Sequence, residues 1–223
     1  MPGADSGSVR MNSTLKTVVD VSISARVGQI LELIETALRL RKTLAREAML
    51  GYRLSMKFRI VPIADHYIES FRQAVDAVAR ERRYLAMVEA SPLEDVRRFV
   101  QTNMREGRPH FVALDGERLI GWCDISSLNR HVYAHSGVLG MGVLDGYREQ
   151  GVGEALMRAT LDAAKIAGLT RVELTVRDHN LRAQKLYEKM GFVVEGVKRK
   201  GVRLDGNYED LICMAILFEE AVK

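Results

Sequence analysis

Val138-Leu139-Gly140-Met141-Gly142-Val143-Leu144 runs directly into Asp145-Gly146-Tyr147-Arg148-Glu149-Gln150-Gly151-Val152-Gly153, and the reading of the whole chain turns on this stretch. Its first half is apolar and interrupted only by glycines, which suits a strand buried on both faces with something lying close against its backbone. Its second half is an Arg-x-x-Gly-x-Gly loop opening straight into a helix. In that helix Val152, Leu156, Ala159, Ala163, Ile166 and Ala167 fall on one face and Glu154, Arg158, Asp162 and Lys165 on the other, with a stop at Gly168. A glycine-rich turn between a strand and a helix N-terminus gathers unpaired backbone N–H groups and the positive end of the helix dipole at one point. That point favours a phosphate.

No Gly-Lys-Ser/Thr follows, so the loop is not a Walker motif, and its spacing is not that of a dinucleotide fingerprint. Taken alone, Arg-x-x-Gly-x-Gly is a weak signal that an ordinary tight strand-to-helix turn explains better. A second segment adds to it. Arg171-Val172-Glu173-Leu174-Thr175-Val176 reads as another strand, followed by Asn180-Leu181-Arg182-Ala183-Gln184-Lys185-Leu186-Tyr187-Glu188-Lys189-Met190-Gly191-Phe192 as a short helix with a Gly-Phe ending.

With both motifs in register, the chain resembles the GNAT N-acetyltransferases over roughly residues 56–218, in the branch that holds the phosphinothricin, polyamine and ribosomal-protein acetyltransferases. The resemblance implies an α/β fold with a mixed, mostly antiparallel central sheet and helices on both faces. It also implies acetyl-coenzyme A as co-substrate. The diphosphate would lie on the backbone amides of Glu149, Gln150, Gly151, Val152 and Gly153, where a side chain added at Gly151 or Gly153 would obstruct it. The strand backbone at Met141, Gly142 and Val143 would pair with the pantetheine amides, in the manner of an added strand. Asn180 would hydrogen-bond the cofactor, and Tyr187 would stand near its sulfur as the proton donor. Arg148 keeps two readings, a solvated loop cation or a fork placed beside the diphosphate. Two departures stand out: Asp145 lies where a proline is common, and Glu149 brings an extra carboxylate to the loop.

The rest of the chain fits around these motifs. Residues 1–22, rich in Gly, Ser and Thr, read as a disordered N-terminus. Residues 23–52 form an amphipathic helical extension with basic residues gathered in its second half, suited to packing on its own domain or on a second subunit as a homodimer; a start at Met56 would instead leave that stretch without a role. Residues 56–223 form the acetyltransferase domain. Its expected order is β-α-α-β-β-β-α-β-α-β-β, with hairpin turns at Asp115-Gly116-Glu117 and Asp205-Gly206. A helix starts at Ser91, with Pro92 first and Glu94 closing a capping box, and buries Val96, Phe99, Val100 and Met104.

A length of 223 residues with 47% hydrophobic and 28% charged content describes a soluble globular protein, and a net charge of +4 sets no nucleic-acid partner. Cys123 and Cys213 are the only cysteines and give neither a disulfide framework nor a zinc spacing, no membrane span is expected, and the cytoplasm is the default. His131 and His135 lie in a turn-rich connector and are not expected to hold a metal.

Acyl transfer to an amine needs a group to take the ammonium proton and another to protonate the leaving thiolate. Tyr187 shares a helix face with Asn180 and Ala183, at i, i+3 and i+7. Glu89, Asp124, Glu173, His135 and Asp210 are all conceivable bases; Glu89 and Asp124 are expected as an acidic pair on the acceptor side, holding a small-molecule or peptide amine. No Cys or Ser stands in a nucleophile arrangement with a His, so direct attack in a ternary complex is expected. The alternative is a non-catalytic acyl-coenzyme A-binding module for regulation or assembly.

Overall fold

The computed structural model describes residues 57–128 and 130–219. The expected N-terminal disorder and the 23–52 extension lie outside the described residues. Strands β1 (Arg59–Pro62), β2 (His110–Asp115), β3 (Arg118–Ser127), β4 (Ser136–Val143), β5 (Arg171–Arg177), β6 (Val193–Leu204) and β7 (Asn207–Leu217) form one sheet in the order β1-β2-β3-β4-β5-β7-β6. Every neighbouring pair is antiparallel except β4 with β5. Helices α1 (Ile68–Arg80) and α2 (Leu93–Arg105) pack on one face over Val112, Leu114, Leu119 and Trp122. Helices α3 (Val152–Ile166) and α4 (Leu181–Lys189) pack on the other, over Ile120, Cys123, Ile125, Leu139 and Leu174.

The parallel pair is short. β4 meets β5 only at Ser136–Val138 opposite Arg171–Glu173, after which β4 stays with β3 as far as Val143 and β5 stays with β7 as far as Arg177. A wedge therefore opens in mid-sheet, between two strands each paired on its outer edge alone.

Helix α3 begins at Gly151, held at φ 82°, and ends in a Schellman motif in which Gly168 donates to Lys165 O at 3.0 Å and Leu169 to Ala164 O at 3.0 Å. Its buried stripe is Val152, Leu156, Met157, Thr160, Leu161 and Ala164. The expected stripe is rotated from this, and Ile166 is 88% exposed. Helix α2 starts at Leu93, one residue later than expected, with no side-chain cap at its N-terminus. Instead, the Ser91 carbonyl accepts from Arg72 Nε at 2.9 Å. Its buried face holds Asn103 in place of the expected Met104, which is exposed.

The glycines of β4 are explained by β3. Trp122 lies opposite Gly142, and a Cβ at Gly142 would stand 2.2 Å from Trp122 Cη2. Gly137 makes the same room for Ile125, 2.3 Å from the place of its absent Cβ. Gly142 is thus fixed by packing on the α1/α2 side of the sheet. A Gly142→Ala variant is expected to lose about 1–3 kcal/mol of stability, as overpacked cores do, measured by denaturant unfolding.

Candidate functional site

The wedge is part of a cleft of about 380 Å³, lined by Met141, Gly142 and Val143 of β4, Thr175 and Val176 of β5, the 148–153 loop, Glu154, and the inner face of α4. The structure thus brings Met141, Gly142, Val143, Arg148, Glu149, Gly151, Gly153, Asn180 and Tyr187 to one cavity. Glu149 lies at φ 63° and Gly151 at φ 82°, so the loop turns on two left-handed residues and only one is a glycine. The first intrahelical bond of α3 runs from Ala155 N–H to Gly151 O at 3.0 Å, which leaves the amides of Val152, Gly153 and Glu154 ahead of the helical ladder. Gln150 folds back, its Nε2 donating to Gly146 O at 2.6 Å. The Glu149 carboxylate is turned outwards, 3.8 Å from Arg182 and well exposed, so it does not confront an anion on the amides.

The two loop glycines have different physical reasons. A Cβ at Gly151 meets nothing within 4 Å, and its positive φ is what selects glycine there. A Cβ at Gly153 would stand 3.2 Å from Leu186 Cδ2 and 3.3 Å from Met141 Cε, so Gly153 lets α3 start against α4 and β4. A side chain at Gly153 would thus meet Leu186 and Met141, which line the same cleft.

Arg148 is neither a solvated cation nor a free fork. Its guanidinium is bidentate on Glu81, at the C-terminus of α1, with Nη1 donating to Oε2 at 2.8 Å, and its Nε donates to Val143 O at 2.9 Å. Asn180 caps α4, its Oδ1 accepting from Ala183 N–H at 3.3 Å. The Tyr187 ring sits 6.0 Å from that of Phe192 and is 8% exposed at the cleft wall. Burial, and secondarily the Cys123 thiol, pushes the Tyr187 pKa upwards.

Glu89 and Asp124 occupy unlike environments. Glu89 is exposed, with Arg80 Nη2 at 3.7 Å. Asp124 is buried, and desolvation pushes its pKa up to about 7, opposed by a long hydrogen bond from the Ser126 hydroxyl at 3.5 Å. Its Oδ1 lies 3.5 Å from where a Cβ of Gly140 would be, two positions past the last residue of β4 that pairs with β5. Of the other base candidates, Glu173 is paired with Arg171 at 3.0 Å and Asp210 accepts the Lys200 amide at 2.7 Å.

Directly across from Asp124 is His110. The bond from Ile125 N–H to Pro109 O at 2.9 Å marks the two as a non-hydrogen-bonded antiparallel pair, the kind that holds side chains closest. His110 is buried between Phe71 and Phe99, with Asn103 Nδ2 3.2 Å from its Nδ1, and burial pushes its pKa down to about 4. Its Nε2 and Asn103 Oδ1 are buried without partners among the described residues.

Comparison with known proteins agrees with this geometry. A model of the acetyltransferase (GNAT) family matches residues 69–192. The chain belongs to the GNAT family. Among curated relatives, the L-amino acid N-acetyltransferase AaaT of Escherichia coli is 34% identical over 113 residues, 50% of this chain and 69% of AaaT. The N-alpha-acetyltransferase RimI of Mycobacterium tuberculosis is 37% identical over 98 residues, 44% of this chain and 60% of RimI. Among solved structures, a GNAT phosphinothricin acetyltransferase from Sinorhizobium meliloti in complex with AcCoA superposes with a TM-score of 0.69 at 17% identity, covering 73% of this chain and 89% of that one. A GNAT acetyltransferase from Streptococcus pneumoniae gives a TM-score of 0.69 at 22% identity, over 72% and 99%. The two structures share the fold expected from the sequence, and the enzyme class is that of an acetyl-coenzyme A-dependent N-acetyltransferase.

Within this GNAT cleft the sequence motifs miss Val78 and Tyr84, which arrive from α1 and the segment after it, and Arg182, Lys185 and Lys189. The three cations share a spacing of i, i+3 and i+7 on α4, but their stripe is turned by about 200° from that of Asn180, Ala183 and Tyr187, so helix phase alone does not place them at the cleft.

The buried pair has opposed pH linkages. Asp124, raised from 3.8 to about 7, contributes stability that is present below its unfolded pKa and lost as pH rises towards 7. His110, lowered from 6.5 to about 4, contributes stability that is present above its unfolded pKa and lost as pH falls towards 4. Between about pH 4 and 6.5 the two oppose one another. An Asp124→Asn variant is expected to gain stability with rising pH in this window relative to the parent, and a His110→Gln variant to lose it; melting temperatures across the window check both signs.

Proposed function

We propose that this protein transfers the acetyl group of acetyl-coenzyme A to an amine by direct attack of the bound amine, without an acyl-enzyme. The observation that carries the reading is the wedge between β4 and β5, where 139–143 has no strand partner on the β5 side and only Val143 O is taken, by Arg148, with helix-terminal amides at one end and Tyr187 on its wall. The chain's own residues suit the co-substrate. Amides from Glu149 to Gly153 suit a diphosphate, the free edge of β4 at Met141–Val143 suits the peptide-like groups of pantetheine, and Lys185 adds positive charge beside them.

The thioester supplies the activated acyl carbon, and the protein's task is to move two protons. The attacking nitrogen forms the new C–N bond while the C–S bond breaks. Asp124 takes the proton that nitrogen gives up. Among the candidate bases it is the one whose pKa burial raises towards the range where a base is useful. Tyr187 presents its proton to the departing thiolate, and burial keeps it un-ionised as a donor. Glu89, exposed and beside Arg80, serves as a peripheral charge for an incoming ammonium.

The acceptor is an α-amino group, of an amino acid or of a protein N-terminus. The names of AaaT and RimI support that class, and the proposed base supports it too, since an α-ammonium has a pKa of about 8 and sheds its proton to a group near 7 more readily than a lysine does. Release of free coenzyme A, measured against L-amino acids, N-terminal peptides and polyamines, tests this. Turnover with the first two classes is expected, whereas cofactor binding without release for any amine would make the protein the non-catalytic acyl-coenzyme A module.

Two variants test the proton donor and acceptor. Tyr187→Phe keeps the ring packing, so the cofactor Kd should hold while kcat falls by about 10²-fold or more; intact kcat with a lowered melting temperature would return Tyr187 to a purely structural role. For the parent enzyme, kcat/KM should decline below about pH 7 as Asp124 protonates. In Asp124→Asn that inflection should vanish along with most of the rate.

A further inference from the structure

Arg148 is the one side chain in the cofactor loop whose hydrogen bonds tie it to another part of the fold. Three of the donors of its fork are engaged, two on Glu81 and one on Val143 O, and Tyr84 lies beneath the guanidinium with its ring centre 4.8 Å away. The remaining partner in range, Asp145 at 3.6 Å, is largely exposed. The Arg148 and Glu81 side chains are 13% and 27% exposed. To turn Arg148 onto a diphosphate would strip a half-buried carboxylate of its partner, break a hydrogen bond to the strand and undo the ring contact at once. Separating a partly buried pair leaves both charges short of a partner, a loss that one more phosphate contact would not repay.

We infer that Glu81 is a positioning residue for cofactor binding: it fixes Arg148 as a strut between α1 and the end of β4, and the strut holds the loop amides in place while Arg148 itself stays off the diphosphate. This rests on the acetyl-coenzyme A reading above. The loop needs such support, because Glu149 adopts a left-handed conformation that a non-glycine residue resists, and it directly follows Arg148. The strut also reaches the segment after α1, which other parts of the fold grip. Arg177 donates to the carbonyls of Arg82 at 3.1 Å and Leu85 at 2.7 Å, and Arg82 Nη2 lies 2.5 Å from Asp205. Loop, α1 and the β6–β7 turn are thereby joined through one set of charged contacts.

The test is calorimetric Kd for coenzyme A with the full chain, its Glu81→Gln and Arg148→Lys variants and the double variant, with melting temperatures alongside. Arg148→Lys keeps the charge and removes the fork. If Arg148 is a strut, each single variant weakens binding by about tenfold or more, the scale of a lost charge-assisted hydrogen bond. The double variant then binds no worse than either single one, because both remove the same support. The inference is overturned if Glu81→Gln binds coenzyme A as tightly as the parent or more tightly, the latter showing that it frees Arg148 for the phosphates. Near-parent affinity in Arg148→Lys, or additive losses in the double variant, overturns it as well. Failure of the unmodified chain to bind coenzyme A overturns the acetyl-coenzyme A reading first and this inference with it, a result distinct from normal parental binding with the wrong variant pattern.

Discussion

The short parallel pairing of β4 with β5 is the constraint on which the site depends. Three residues of register hold the two halves of the sheet together, and past Val138 and Glu173 each strand has a partner only on its outer side. Backbone N–H and C=O groups within a protein are rarely left unpaired, so an interior edge of this kind is stable only where water or a ligand meets it. The surrounding elements prevent closure. Gly153 allows α3 to begin against Leu186 and Met141, α4 lays Ala183, Leu186 and Tyr187 along the opening, and β3 and β7 hold the outer edges apart. In an antiparallel sheet a gap of this sort would be an aggregation-prone edge. Here it faces inward, under two helices.

Much of this was legible in the sequence because local rules and tertiary demands agree. The Asp-Gly turns, the left-handed glycines at 151 and 168, and the apolar strands all express backbone chemistry that a single segment reveals, and both motif helices lie close to where they were read. What escaped was set by partners far along the chain. Gly142 reads equally as a place for a ligand or for a neighbour, and only the register with Trp122 decides for the neighbour. Thr160 belongs to the buried stripe of α3 because its hydroxyl bonds back to Leu156 O at 2.9 Å, whereas a count of apolar residues prefers Ile166, which points into solvent. Asn103 displaced Met104 from the buried face of α2 because His110, on the following strand, gives its amide a partner. Glu89 and Asp124 are alike as carboxylates, and nothing in the neighbouring residues shows that one is exposed beside an arginine while the other loses its water to a closed core.

The alternation of side chains along β3 carries the chemistry one step further. Cys123 and Ile125 face α3 and α4, in the cluster that contains Tyr187, while Trp122 and Asp124 face α1 and α2. A period of two residues therefore puts the proposed proton donor and proton acceptor on opposite faces of one sheet. An amine and a thioester meeting in the wedge would find Tyr187 on its wall, with Asp124 buried on the opposite side of the sheet beside Gly140. Direct attack needs one proton taken from the entering nitrogen and one given to the leaving sulfur, and two separate groups let each be set for its own task. Burial then acts on the two groups in one direction and with opposite use. Loss of water raises the pKa of each. For the carboxyl, which begins near 4, that brings it to the pH where a base is useful, and for the phenol, which begins near 10, it ensures that a proton is always present to give. Burial thus favours, at each group, the protonation state that the proposed proton transfers need.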